Sequence, residues 1–132
     1  MLRMPRYIGD AIIAHASEGF PLEVCGILGG NDGVVSSFSR MTNTDRSNEH
    51  FMMEPREQFA VMKELRAKGL ELLAIYHSHP ESPARPSTED IRLALTPDVS
   101  HVIVSLMEPD KPVLKSFRII AGRVEPEKVD YL

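Results

Sequence analysis

The chain has 132 residues, which suits a single domain spanning residues 1–132 and allows about two-thirds of the unfolded surface to be buried. Its 42% hydrophobic and 26% charged residues are ordinary for a globular protein, and its net charge of −4 argues against a general nucleic-acid-binding protein. The single cysteine, Cys25, excludes an internal disulfide. No apolar run approaches the roughly 20 residues that cross a membrane, and no long apolar leader is present, so we expect a cytoplasmic protein.

The first predicted element is an amphipathic helix over residues 7–18. Ile8, Ile12 and Ala16 recur at helical spacing, and Gly19 is a typical stop signal. We therefore expect this helix to bury one face against the rest of the chain.

A β-hairpin is predicted next. Residues 22–30 form an apolar strand, residues 31–33 (Asn-Asp-Gly) are a strong turn signal, and residues 34–38 supply the returning strand. Considered alone, Glu23 is most simply a solvated glutamate at the start of this strand. Cys25 lies inside the strand, which favours structural burial over a thiol nucleophile.

The polar stretch over residues 41–50 is predicted to be a surface loop, of the kind that often forms one wall of a binding site. Residues 51–53 are predicted to form a short strand. Two histidines, His15 and His50, have no partner at metal-ligand spacing. We interpret His15 as a surface or packing residue.

A second helix begins at Pro55 and ends before Gly69, residues that favour a first helical turn and a helix end respectively. Phe59, Met62 and Leu65 form its predicted apolar stripe. Core packing explains such a stripe without any cofactor.

The central strand covers residues 72–76, a short run of bulky apolar residues, with His77 and His79 at its end. Residues two apart in a strand share a face with Cα atoms roughly 6.6 Å apart, close enough for two imidazoles to bind one ion. Pro80 disfavours helical backbone at the preceding residue, which keeps His79 extended.

Three prolines stiffen the loop over residues 80–86, and residues 87–90 then begin a third helix. Ile91 and Leu95 lie one turn apart on this helix, which should stop before Pro97.

Asp90, in the first turn of the third helix, returns toward His77 and His79. Two imidazoles and one carboxylate form a three-ligand set, and a zinc ion bound in this way keeps a fourth position for water. Ser87, three residues before Asp90, also fits a helix capping box. The pattern leaves both the capping and the functional interpretation of Ser87 open.

The remaining chain is predicted to be β structure. Strands are expected over residues 100–106 and 113–120, joined by a turn over residues 109–112. Residues 121–122 would turn the chain into a short last strand around Val124.

The spacing of the polar residues resembles the signature of the JAMM or MPN+ metalloproteases. Glu23 precedes an apolar strand, residues 77–80 read His-Ser-His-Pro, and ten residues, Pro80 to Glu89, separate His79 from Asp90, with Ser87 three before it. The resemblance extends along most of the chain. It implies an α/β, single-domain, cytidine-deaminase-like MPN fold with a curved mixed β-sheet flanked by about three helices.

The resemblance also implies residue roles. His77, His79 and Asp90 would hold one Zn²⁺ per chain, although iron or manganese could occupy the same ligands. Glu23 would be the general base that takes the proton of a metal-activated water and passes it to the leaving amine. Ser87 would donate to the oxyanion of the tetrahedral intermediate.

The implied activity is zinc-dependent hydrolysis of an amide bond, by a peptidase or isopeptidase, at the C-terminal end of a ubiquitin-like or sulfur-carrier protein. Family members cleave after the C-terminal glycine of such proteins, and small prokaryotic relatives include some that release cysteine from a carrier. A non-catalytic MPN-type interaction module that keeps the metal is the alternative, and a metal phosphoesterase is a third possibility. No nucleic-acid or membrane partner is expected.

Overall fold

The computed structural model describes residues 1–94 and 98–132. The strands and helices follow one another along the chain as β1 (Leu2–Met4), α1 (Arg6–Gly19), β2 (Cys25–Asn31), β3 (Val34–Met41), α2 (Pro55–Ala67), β4 (Glu71–His79), α3 (Thr88–Arg92), β5 (Ser100–Ser105), β6 (Val113–Ile120), β7 (Arg123–Glu127) and β8 (Val129–Tyr131).

The strands form one curved, mixed sheet in the order β7-β6-β5-β4-β2-β3-β1-β8. Strand β4 pairs with β5 in parallel and with β2 in the antiparallel direction, so it lies near the middle of the sheet. Strand β1 pairs in parallel with both β3 and β8. No described helix is both long and apolar enough to span a bilayer.

The two faces of the sheet carry different helices. On β4, Ala74 and Tyr76 belong to the buried cluster that contains the apolar side of α1. Alternation sends Ile75 to the other face, where it packs with Leu65 of α2. By the same alternation His77 points to the face that α2 covers, so the sheet separates the α1 core from the polar residues at the end of β4.

Tyr76 shows how closely the α1 face is packed. Its ring lies over Gly26, where an added Cβ would be only 2.0 Å from a ring carbon, so only glycine fits there. The Tyr76 hydroxyl is 2.6 Å from His15 Nδ1. Burial, with a smaller contribution from the charge of Arg40, lowers the pKa of His15 to about 4. His15 is therefore a neutral packing residue.

Several predicted elements are confirmed. The first helix occupies Arg6–Gly19, and the hairpin turn has left-handed backbone at Asp32 (φ 55°) and Gly33 (φ 74°), as an Asn-Asp-Gly turn requires. The mixed sheet and three helices agree with the predicted fold class. The returning hairpin strand continues to Met41, and β4 continues through His79, so the histidines lie within the strand rather than after it.

Two sequence predictions about element boundaries are wrong. The hairpin strand begins at Cys25 rather than at residue 22, because the Glu23 N–H donates to the carbonyl of Ser47 instead of a neighbouring strand. Residues 51–53 do not form a strand, and only Met53 makes an isolated bridge, with Asn43.

The predicted apolar stripe of α2 is also wrong in part. Leu65 is buried and Met62 packs beside the core, but Phe59 is 73% exposed. Residues spaced by three drift about 60° per step around an α-helix, so Phe59 and Leu65 lie about 120° apart. Val61, one turn before Leu65, takes the place that Phe59 was expected to fill.

The remaining differences from the sequence predictions concern the terminal strands and the third helix. Strands β1 and β8 were not predicted, and the strand around Val124 is therefore not the last. Helix α3 ends at Arg92. The predicted helical positions of Leu95 and Pro97 lie outside the described residues.

Candidate metal centre

His77, His79 and Asp90 come together at one end of the sheet. The Nε2 atoms of the two histidines are 3.1 Å apart, and each lies 3.1 Å from Asp90 Oδ2. Both histidines are 3% exposed. Two consecutive same-face positions of β4 supply the imidazoles, and the first turn of α3 supplies the carboxylate.

These three side chains are positioned to bind a metal ion. Donors at the corners of a tetrahedron with bonds of about 2.0–2.1 Å lie about 3.3–3.4 Å apart, close to the observed 3.1 Å separations. Within residues 1–94 and 98–132, no fourth His, Cys, Asp or Glu joins the group. The donor set therefore suits an ion with a coordination position open to water.

Neighbouring groups orient the two histidine side chains. His79 Nδ1–H donates to the Pro83 carbonyl at 2.8 Å, which directs Nε2 toward Asp90. The ring of Phe51 stacks on that of His77, with centroids 4.7 Å apart and planes inclined by 25°. The proline-rich loop thus contributes a carbonyl that orients one ligand.

Ser87 forms the capping box that its spacing indicated. Its Oγ accepts a hydrogen bond from the Asp90 N–H at 3.0 Å, and its own N–H donates to Asp90 Oδ2 at 2.9 Å. The capping interpretation is correct. Because the Oγ acts here as an acceptor, its hydroxyl proton is left to donate elsewhere.

The three ligands differ in their affinity for protons. Burial lowers the pKa of His77. Burial also opposes protonation of His79, but hydrogen bonds to Asp90 and to the Pro83 carbonyl raise its pKa. Burial alone would raise the pKa of Asp90, yet its hydrogen bonds with His77 and His79 lower it well below the usual range. In the metal-free protein these shifts favour a proton on His79 over one on Asp90.

Glu23 lies next to this group and is only 4% exposed, so the solvated interpretation considered for it is wrong. Its Oε1 is buried and has no hydrogen-bond partner among the described residues. Burial raises the pKa of Glu23 to about 8, although the nearby charge of His79 opposes that shift. The fold therefore buries this carboxyl group although burial disfavours its charged form.

The backbone around Glu23 is fixed by the polar loop. The Glu23 N–H donates to the Ser47 carbonyl at 2.8 Å, and the Glu23 carbonyl accepts from Asn43 Nδ2 at 3.1 Å. Asn43 also accepts, through Oδ1, the N–H groups of Asp45 and Met52. The loop over residues 42–50 therefore builds the wall that carries Glu23.

Ser78 has a larger part than its sequence position suggested. It is fully buried, and its Oγ accepts the Val24 N–H at 2.8 Å while its own N–H donates to the Val24 carbonyl at 3.0 Å. Alternation along β4 places its side chain on the α1 face, opposite His77 and His79. Ser78 thereby ties the ligand strand to the residue that follows Glu23.

Cys25 is buried, as predicted. Burial, assisted by the nearby charges of Glu57 and Glu23, raises the pKa of its thiol to about 12. A thiol in this environment stays protonated, which excludes it as a nucleophile at neutral pH.

A cavity of about 340 Å³ adjoins the ligands on the same face of the sheet. Its wall includes His77, Asp90, Phe51, Met53 and His101. Sequence reasoning missed His101 because its position depends on β5 pairing in parallel beside β4 with His101 next to Ile75. No local pattern indicates that register.

The family model described as prokaryotic homologues of the JAB domain matches residues 5–120. The CysO-cysteine peptidase of Mycobacterium tuberculosis is 36% identical over 123 residues, which cover 92% of this chain and 84% of that protein. The desampylase of Haloferax volcanii is 31% identical over 103 residues, covering 73% and 74%.

Solved structures agree with these sequence matches. A protein from Desulfitobacterium hafniense superimposes with a TM-score of 0.91 at 43% identity, covering 100% of this chain and 93% of that one. A JAB1/MPN domain protein from Archaeoglobus fulgidus has a TM-score of 0.67 at 20% identity, with coverage of 100% and 99%. The predicted MPN fold is confirmed.

Proposed function

Because the chain belongs to the family of prokaryotic JAB-domain homologues, we propose that it is a zinc-dependent peptidase that cleaves an amide bond at the C-terminal end of a ubiquitin-like or sulfur-carrier protein. One observation carries the proposal. The three-donor group of His77, His79 and Asp90 lies beside Glu23, a buried carboxyl group whose Oε1 has no partner among the described residues.

His77, His79 and Asp90 would hold the metal. Two imidazole nitrogens and one carboxylate oxygen form the mixed donor set that zinc takes in catalytic sites. When bound, the ion supplies Lewis acidity, which polarises the substrate carbonyl and makes water more acidic.

Glu23 is the proposed general base. The pKa of about 8 belongs to the metal-free protein. The positive charge of a bound ion would lower it, so that Glu23 would be ionised and able to accept a proton from the attacking water. In the hydrolysis the water oxygen bonds to the carbonyl carbon, one water proton goes to Glu23, and that proton passes to the leaving nitrogen as the C–N bond breaks. The products are a free carboxyl group and a free amine.

Ser87 is the proposed donor to the oxygen that becomes negatively charged. Its Oγ already accepts from the Asp90 N–H, which fixes the side chain and leaves the O–H to donate. One such donor contributes about 2.7–4 kcal/mol in comparable enzymes. The capping bond and the proposed role therefore use different parts of one hydroxyl group.

The proposed substrate is a carrier protein whose last residue is glycine, joined through its carboxyl group to an amine. A relative 36% identical to this chain is named CysO-cysteine peptidase, and one 31% identical is named desampylase. These names support hydrolysis at the end of a small carrier rather than digestion of unfolded protein.

The direct test is to incubate the purified protein with carrier fusions and follow cleavage by intact mass. We expect about one zinc per chain, cleavage after the terminal glycine, and loss of about 10²–10⁴ in rate for Glu23→Gln with zinc content unchanged. Glu81→Gln changes an exposed carboxylate and serves as the control. Full activity in Glu23→Gln would remove this residue from its proposed role, and carrier binding without cleavage would favour an interaction module.

A further inference from the structure

The cavity beside the ligands is built mainly from apolar side chains. Its apolar wall is formed by Phe51, Met53, Ile75, Leu93 and Ala94. These residues come from the chain segment before α2, from β4, and from the residues just after α3, so three separate parts of the fold line the cavity. Its volume of about 340 Å³ is enough for a complete amino-acid side chain.

His101 introduces a polar atom into this apolar wall. Its Nε2 is buried and has no hydrogen-bond partner among the described residues. Of the other two histidines of the wall, His77 is a proposed metal ligand, and His50 already pairs through Nδ1 with Asp45 at 2.9 Å. Leaving a buried nitrogen without a partner is unfavourable, so His101 is suited to bind a group that enters the cavity.

We infer that this cavity binds the side chain of the residue that supplies the leaving amine, with His101 as the specificity-determining residue. This inference rests on the proposed function. Because His77 and Asp90 form part of the wall, a side chain in the cavity must belong to a residue directly beside the bond that is cleaved. A carrier that ends in glycine has no side chain to place there, whereas the leaving residue has one.

The chemistry of the wall favours an uncharged side chain. A lysine ammonium would lose its hydration, and Glu89, the acidic residue of the wall besides the ligand Asp90, already pairs with Arg92 at 3.6 Å. A thiol packs favourably against methionine and aromatic side chains, and it can still form a hydrogen bond with His101. Cysteine meets both requirements, since it is uncharged at neutral pH and has one weakly polar group.

The test uses semisynthetic carrier proteins that differ only in the residue attached to the terminal glycine. Cysteine is compared with α-aminobutyrate, which replaces the thiol by a methyl group of similar size, and with lysine attached through its α-amine. One hydrogen bond of about 1 kcal/mol corresponds to about fivefold. We expect the wild type to favour cysteine over α-aminobutyrate by about fivefold in kcat/KM, and both over lysine by more than tenfold.

Two substitutions of His101 separate recognition from folding. His101→Leu should bring the ratio of cysteine to α-aminobutyrate close to one, and His101→Gln, which keeps a polar atom, should restore part of it. His15→Gln is the control, because His15 bonds to Tyr76 on the opposite face of the sheet. Zinc content and the thermal midpoint of each variant show whether the site is intact.

Three results would overturn the inference. His101→Leu could lower the rates with all leaving residues equally, the ratio could stay at its wild-type value, or the His101 substitutions could change selectivity for carrier residues before the glycine instead. A wild-type protein that binds zinc but cleaves no fusion would contradict the proposed function itself. Cleavage of every fusion at equal rates would contradict only the role of the cavity.

Discussion

Glu23 is a carboxyl group that the fold keeps protonated in the absence of metal. Burial raises its pKa from 4.5 to about 8, so between these pH values the folded chain holds a proton that the unfolded chain has lost. Stability must then fall as pH rises from about 4.5 to 8. The residue proposed for catalysis is therefore one that opposes folding at neutral pH.

We predict that Glu23→Gln stabilises the metal-free protein, since the amide cannot ionise. The difference in unfolding free energy from wild type should be small near pH 4.5 and reach on the order of 3 kcal/mol near pH 8. Urea unfolding of chelator-treated protein at several pH values measures it. The exposed control Glu81→Gln should show no such trend, and a pH-independent difference for Glu23→Gln would contradict the burial argument.

The grouping of the proposed ligands was predictable at the residue scale because local rules position their side chains. Alternation along a strand places His77 and His79 on one face, and Ser87 and Asp90 obey the capping rule at the start of a helix. The burial of Glu23 was not predictable in this way. It depends on the Ser47 carbonyl and the Asn43 side chain, which belong to a loop about 20 residues farther along the chain.

Strand β4 acts as a two-sided element, with ligands on one face and Ser78 on the other. The Ser78 hydroxyl accepts the buried N–H of Val24, the residue after Glu23. We predict that Ser78→Ala lowers the unfolding free energy by about 1–3 kcal/mol, because that N–H loses its partner. It should also lower kcat while zinc content stays constant, since the segment that carries Glu23 is less firmly held.

Thermal unfolding, zinc analysis and steady-state kinetics of Ser78→Ala check this prediction. Ser36→Ala is the matched control, because Ser36 is exposed on β3. An unchanged kcat in Ser78→Ala would show that the serine stabilises the sheet without positioning Glu23, the proposed general base.

Prediction of whole elements succeeded where the periodicity was strong and failed where length or packing decides. Helix α1 and the hairpin carry clear signals, whereas β1 and β8 have three residues each, too few for a periodic signal, and are defined by pairing with each other and, for β1, with β3. The three-residue spacing that suggested Phe59 as a core residue of α2 does not follow one helical face. Geometry at 3.6 residues per turn would have favoured Val61 with Leu65.

At the scale of the whole molecule, the candidate metal centre is built from segments that are distant in sequence and that the strand order of the sheet brings together. The proposed ligands lie within residues 77–90, but Glu23 lies just before β2 and His101 lies in β5, and these two strands flank β4. Sequence patterns predict these strands without stating which ones are neighbours. Recognition of the family supplied the place of Glu23, and only the structure reveals that of His101.

Metal binding should therefore stabilise the whole fold, because the ion would tie β4 to α3 across the proline-rich loop. We predict that excess zinc raises the thermal midpoint of the metal-free protein near pH 7.5, following the linkage between binding and folding. The rise should shrink as pH falls toward 5. In the metal-free protein the pKa of His79 is raised, so protonation of His79 stabilises the fold at low pH, and this stabilisation is lost as pH rises. In acid, zinc must therefore compete with that proton for His79. Asp90→Asn should abolish most of the rise, whereas His15→Gln should retain it. A zinc-dependent rise of equal size at pH 5 and pH 7.5 would show that the ion binds elsewhere than at the two histidines.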